Sequence, residues 1–308
     1  MANTALTKTQ NQAAIPTIVA NLALGALTSF LNLGKTVAKD SELTTQNVGD
    51  VINVTKRGTV TANSKTQDSN VTRQAPSLST IAVTLDQHWE VTIMEEDFTE
   101  ALQAQTGSGN GTNSVLPGYV EDGVIALAEK IETKLAQLHP SVVHTITGAN
   151  PVTLANITAV RERMIVNKVP ALARKFAYLH PTVITDLLAT TPFSDPKFAE
   201  KQEGLTEGAV MRLYGFDIFE GQLVQTSGSP VAYHNLFYTR NAFVLATRPM
   251  RLPNGLGVEA AQVTSDAGIS LRYTRSWNPD ALAMQFTLDV LFGVAILDNR
   301  LSCELESF

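Results

Sequence analysis

Between residues 46 and 80 the chain offers almost nothing to bury. The segment is dominated by Thr, Asn, Ser, Gln and Val, with Val48, Val51, Val54 and Val60 spaced among polar residues and Gly58 inside. Such a stretch cannot build its own core, so it reads as an extended β-hairpin arm that needs another surface to lie on. The segment Glu121 to His139 is its opposite. Val124, Leu127, Ala128, Ile131, Leu135 and Leu138 form one helical stripe, with Glu129, Lys130, Glu132, Lys134 and Gln137 elsewhere. Acids begin this helix, His139 closes it and Pro140 stops it. At 1.5 Å per residue it would be about 28 Å long, enough to act as the backbone of a domain.

The remaining elements fall around these two. Residues 1 to 14 read as a loose polar arm, and Pro16 at a favoured first-turn position starts a helix carrying Ile18, Val19, Leu22, Leu24, Leu27, Phe30 and Leu31. Alternation predicts two strands, Ile81 to Leu85 and Trp89 to Ile93, read as a pair joined at Gln87-His88. Asp97 with Glu100 resembles a capping box for a short helix before the glycine-rich loop 107–112. Then come a helix from Leu154 to Asn167, a strand from Phe176 to Leu179 and a helix started by Pro181. A strand or hairpin through Gly215 follows, with strands at Ala242 to Thr247, Ile269 to Tyr273, Ala281 to Leu297 and Leu301 to Leu305. The pattern is α+β, without serial βαβ units and without an internal repeat.

Composition removes several classes of function. Lys and Arg total 23 against 29 acids, and the only adjacent basic pairs are Lys56-Arg57 and Arg174-Lys175. No phosphate-tracking stripe exists, so sequence-specific nucleic-acid binding is not expected. Charged residues are 17%, below the roughly 25% usual in soluble domains, so much of the surface must be polar, small or covered by neighbours. The single cysteine, Cys303, excludes an intrachain disulfide and reads as a small buried hydrophobe in a reducing compartment. The N-terminus lacks a basic signal region, and no apolar run is long enough for a membrane span. Without a signal peptide, the sequons at Asn53 and Asn70 are chance matches.

No motif for catalysis survives inspection. Gly34-Lys35-Thr36 superficially ends like a phosphate-binding loop, but Ser29 stands where the first glycine is needed and the upstream segment reads as a helix. Gly34 is read instead as a helix C-cap. Gly107, Gly109 and Gly111 miss the dinucleotide spacing, there is no nucleophile elbow, and Cys303 has no neighbour to activate it. His88, His139, His144, His180 and His234 never share the i, i+4 spacing of a helical zinc site. Glu95-Glu96-Asp97 reads as a helix N-terminus in preference to a cation site. No catalytic residue, cofactor or metal is expected.

The order of elements resembles the major capsid proteins of tailed bacteriophages, which share the Hong Kong 97-type coat fold. Local stretches occur in the family's order: Pro-Thr-Ile-Val-Ala at 16 to 20, Val83-Thr-Leu-Asp-Gln87, Glu95-Glu-Asp-Phe98 and Ala177-Tyr-Leu-His-Pro181. Leu213-Tyr-Gly-Phe-Asp-Ile218, Arg240-Asn-Ala-Phe243 and Asp289-Val-Leu-Phe-Gly293 before Asp298-Asn-Arg-Leu301 continue the series.

The resemblance implies residues 1–45 as an N-terminal arm and helix and 46–80 as an extension loop over a neighbouring subunit. It implies 81–139 as a peripheral domain with its spine helix at 121–139, 140–235 as an axial domain, and 236–308 as returning strands. It further implies a homo-oligomer of pentamers and hexamers in an icosahedral shell, assembled in the host cytoplasm and matured as DNA is packed by non-specific proximity. No long N-terminal scaffolding region is visible, so scaffold as well as portal would be separate proteins. Candidate assembly contacts are the charged residues of the arm, Lys56, Arg57, Lys65, Asp68 and Arg73, and those of the helix, Glu129, Lys130 and Lys134. Lysines 56 and 65 read as charge-pairing or solubilising residues before cross-linking ones. The alternatives are an encapsulin-type nanocompartment shell, which shares the fold, and an enzyme whose site is assembled from distant residues.

Overall fold

A computed structural model describes residues 8–41, 47–58, 60–75, 77–96, 115–148, 150–189, 212–253, 258–264 and 268–308. The predicted helix at Asp97, the loop 107–112 and Met211 lie outside them. The chain opens with helix α1 (Lys8–Phe30), the short α2 (Leu33–Thr36) and strand β1 (Ala38–Ser41). The hairpin β2 (Val51–Arg57) and β3 (Leu78–Thr84) follows, then β4 (Gln87–Glu96) and the long helix α3 (Val115–Ala136). The middle of the chain carries β5 (Thr145–Thr147), α4 (Leu154–Val166), β6 (Lys175–Leu179), α5 (Pro181–Leu188), β7 (Arg212–Leu213), β8 (Phe216–Glu220) and β9 (Thr226–Ser227). It ends with β10 (Ala232–Thr239), β11 (Phe243–Thr247), β12 (Val258–Thr264), β13 (Ser270–Asn278), β14 (Ala283–Ile296) and β15 (Ser302–Ser307).

Two sheets carry the body of the molecule. The first runs β1-β11-β14-β13-β12, with β4 also paired to β14; the second runs β5-β15-β10-β6-β8-β7, with β9 on β10. Helices α1 and α3 cover the first sheet. Ala20, Ala23, Leu24, Leu27 and Leu31 of the α1 region meet Val124, Leu127, Ala128, Ile131 and Leu135 of α3 over Leu271, Tyr273, Phe286 and Leu288. Both sets recur at three- and four-residue steps, so each presents one face, and each fully buried Leu or Ile stabilises by about 1.5–3 kcal/mol. Helices α4 and α5 cover the second sheet through Ile157, Val160, Met164, Val183, Ile184 and Leu187. Pro181 opens α5 as expected, and the His180 ring accepts from the amide of Thr182.

Several sequence expectations need correction. The strands on either side of Gln87 do not pair with each other: β3 pairs with β2 from Val51↔Thr84 to Arg57↔Leu78, while β4 joins β14 in the first sheet. Alternation marks a strand but carries no information about its neighbour. Helix α1 is already formed at Lys8, so Pro16 lies inside it and not at its first turn. Gly34 is within α2, not a C-cap. Glu95 and Glu96 close β4, so they do not begin a helix. The long helix ends at Ala136, one turn before His139, which instead opens a 3-10 turn containing Pro140.

Candidate assembly interface

The arm has an anchored root and an unsupported tip. Ile52, Val83 and Leu85 at the root pack on Val244, Ala246, Met250 and Leu291 of the first-sheet region. Paired backbone bonds, Gly49 amide to Leu85 carbonyl (2.8 Å) and Leu85 amide to Asp50 carbonyl (2.9 Å), close it. Strand β14 admits the hairpin because residue 293 is glycine: a Cβ there would meet the Thr84 carbonyl oxygen at 2.2 Å. The root therefore does lie on its own subunit. The described residues from 60 to 75 do not: every one of them is exposed, including Val60 and Val71 at 67% and 71%. Their internal order comes from Gln74 bridging Thr61 and from the Thr66–Ser69 turn, where Asp68 takes a left-handed φ of 65°.

The eight candidate contacts divide by location. Lys56 reaches Asp298 at 3.2 Å and ties the hairpin to the far end of the chain. Burial would push the Asp298 carboxyl up, but hydrogen bonds from Arg300 and Lys56 hold it at about 2. Lys65, Asp68 and Arg73 stand exposed on the tip. Arg57 ends β2. On α3, Lys130 lies over the Trp89 ring at 5.1 Å, Glu129 is exposed and Lys134 is half-buried. Lys56 and Lys130 are thus engaged within the subunit.

The structure also assembles two polar centres that spacing did not reveal. Glu132 is 4% exposed, although its charge suggested the solvent face of the helix. Its carboxylate accepts from the amides of Asn32 (2.9 Å), Leu33 (3.0 Å) and Gly34 (2.9 Å). Of the Gly34-Lys35-Thr36 stretch, the Gly34 amide is therefore already held by a carboxylate of the chain itself. Burial raises the Glu132 pKa against the pull of these three amides and of Lys35. The signal was present: residue 132 is four after Ala128, on the edge of the buried stripe.

The second centre is His139, His234 and Glu304, drawn from the 3-10 turn after α3, from β10 and from β15. Glu304 Oε1 lies 2.5 Å from His234 Nδ1 and 3.3 Å from His139 Nδ1, while Oε2 accepts from the Thr145 hydroxyl at 3.1 Å. Among the described residues this is the one group whose donors could jointly face an ion. The two rings stack at 3.9 Å with 21° between their planes, so no single ion can lie in both ring planes along the nitrogen lone pairs. The set is thus a buried hydrogen-bonded cluster shared by one carboxylate. Burial and the neighbouring His234 lower the His139 pKa, opposed by Glu304. Cys303, beside it, is fully buried, and burial pushes its thiol up to about 12, which leaves no reactive thiolate. No helix among the described residues is long and apolar enough to cross a membrane.

No family model and no curated protein matches this chain. Solved structures do. One from Mycobacterium phage Che8 aligns over 91% of this chain and 90% of its own, with a TM-score of 0.59 at 12% identity. The capsid of Ralstonia phage GP4 aligns over 88% and 87%, with a TM-score of 0.58 at 12% identity. A virus-like particle from Pyrococcus furiosus aligns over 94% and 99%, with a TM-score of 0.53 at 8% identity. Sequence identity is too low for these likenesses to speak of anything but the fold, and the alignments span nearly the whole chain. This chain has the mixed α+β fold found in solved phage capsids.

Proposed function

We propose that the chain is the major capsid protein of a tailed bacteriophage, a non-enzymatic subunit that assembles with its own copies into the icosahedral shell around double-stranded DNA. In this reading residues 46–80 are the extension loop, its tip lying over a neighbour, α3 is the spine helix of a peripheral domain, residues 140–235 form most of an axial domain, and 236–308 return. Pentamers and hexamers build a procapsid in the host cytoplasm, with scaffold and portal as separate proteins, and it matures into the virion capsid. The observation that carries the reading is the arm: a hairpin rooted by Ile52, Val83 and Leu85, whose residues 60–75 are exposed throughout, on a fold shared with phage shells. An extended polar loop that leaves apolar Val60 and Val71 exposed at the end of a hairpin is a surface awaiting a partner.

Electron microscopy of the purified chain, alone and with a scaffold protein, tests this. Closed particles of uniform size are expected. A monodisperse monomer under every assembly condition overturns the proposal, and particles that hold an enzyme and exclude DNA would move it to a nanocompartment shell.

A further inference from the structure

An open pocket of about 930 Å³ lies where α2 and β1 meet the second sheet. Lys35, Lys39, Arg174 and Arg240 line it, and among the described residues no carboxylate does; Phe176 and Phe219, 6.1 Å between centroids, give it an aromatic wall. In a chain with net charge −6, four cations converging on one concavity run against the average. Arg174 is paired with Asp217 at 2.9 Å, and Lys35 acts electrostatically on the buried Glu132. Lys35 donates only to the carbonyl of Ser29 (2.8 Å). Among the described residues Lys39 and Arg240 have no carboxylate partner, and the charges that bear on Lys39 are Arg240 and Lys35. Half-burial of Lys39 together with these like charges lowers its pKa. A half-buried ammonium with like charges beside it is an unfavourable arrangement that an incoming anion relieves.

We propose that this pocket receives an acidic peptide segment contributed by a second copy of the chain, its carboxylates meeting Lys39 and Arg240 and its neighbouring apolar atoms lying on Phe176 and Phe219. The proposal rests on the shell reading above, which places copies side by side. The shape argues against nucleic acid: a phosphate backbone is tracked by cations spaced along a surface, whereas these converge into a recess with an aromatic wall. The chain's own excess of acids, 29 against 23 bases, supplies the complement.

The test uses particles assembled in nuclease-treated buffer from an equal mixture of unlabelled and ¹⁵N-labelled chain. A carbodiimide, which joins an amine to a carboxylate with no spacer, is expected to link Lys39 to an acidic peptide, with mixed-isotope pairs marking the link as between copies. Links confined to one copy overturn the proposal. In parallel, the double variant Lys39→Gln, Arg240→Gln is expected to cut particle yield about tenfold while its circular dichroism melt matches wild type, and Lys39→Arg to assemble normally. Wild-type yield from the double variant overturns the proposal, as does restoration of its lost yield by duplex DNA. If the wild-type chain forms no particles at all, the shell reading itself has failed, a result distinct from particles that form without this contact.

Discussion

Helix α3 and the arm tip are segments of similar length with opposite use of their side chains. In the 22 residues of α3, Val124, Leu127, Ala128, Ile131, Glu132 and Leu135 are all buried within the subunit. In residues 60–75, none is. The helix satisfies its backbone internally and needs only a sheet to cover; the tip has backbone groups and valines that nothing in its own subunit covers. The difference separates a segment that holds the fold together from one that, under the proposed function, would associate with a neighbour, and the two can be separated by experiment.

Replacing residues 60–75 with an Asn-Gly turn should have the largest effect: complete loss of particles in the electron microscope, with a melting temperature within about 2 °C of wild type. Equal loss of stability would erase the contrast. Glu132→Ala should do the reverse, costing about 3–5 kcal/mol in urea unfolding, because three amides lose their acceptor in a buried site. Glu132→Gln, which keeps an acceptor oxygen, should recover part of it. Gly293→Ala tests the seam between the two regions. The added Cβ must push Thr84 away, for a loss of about 1–3 kcal/mol and faster hydrogen exchange in β3 and not in α3.

Lys56→Ala should be smallest, about 0.5–1 kcal/mol at pH 7 by denaturant titration. Because Asp298 is held below its ordinary 3.8, this contribution is present above that pH and is lost as pH falls through about 2. A deficit that persists unchanged in acid would show that Lys56 acts through packing of its stem and not through charge.

The buried stripe of α3 was legible because a 3.6-residue period needs no knowledge of the partner. Strand existence was legible at Ile81 to Leu85 for the same reason, but its pairing with Val51–Arg57 was not. The hairpin closes over a long polar loop, and a tight junction at Gln87 looked like the better turn. Pro16 misled because it is so often a first residue, while the polar residues from Lys8 onward prove helical. Of the assembly candidates, the tip residues stand where charge and polarity suggested, whereas Lys56 found Asp298, 242 positions away in sequence. The clusters of Glu132 with Asn32–Gly34 and of His139, His234 and Glu304 join residues about 70 to 165 apart, and no spacing rule reaches that far.

The root of the arm has a mechanical consequence. Tension applied at the tip, along the hairpin axis, draws β2 and β3 in the same direction, so it does not part their seven paired positions. The load passes instead to Ile52, Val83 and Leu85 and to the crossing at Gly293, in the part of β14 paired with β11; the same strand holds β4 and β13 further along. A tug on the arm is thereby passed into a strand paired on both sides, and the load reaches the body without the handle unzipping.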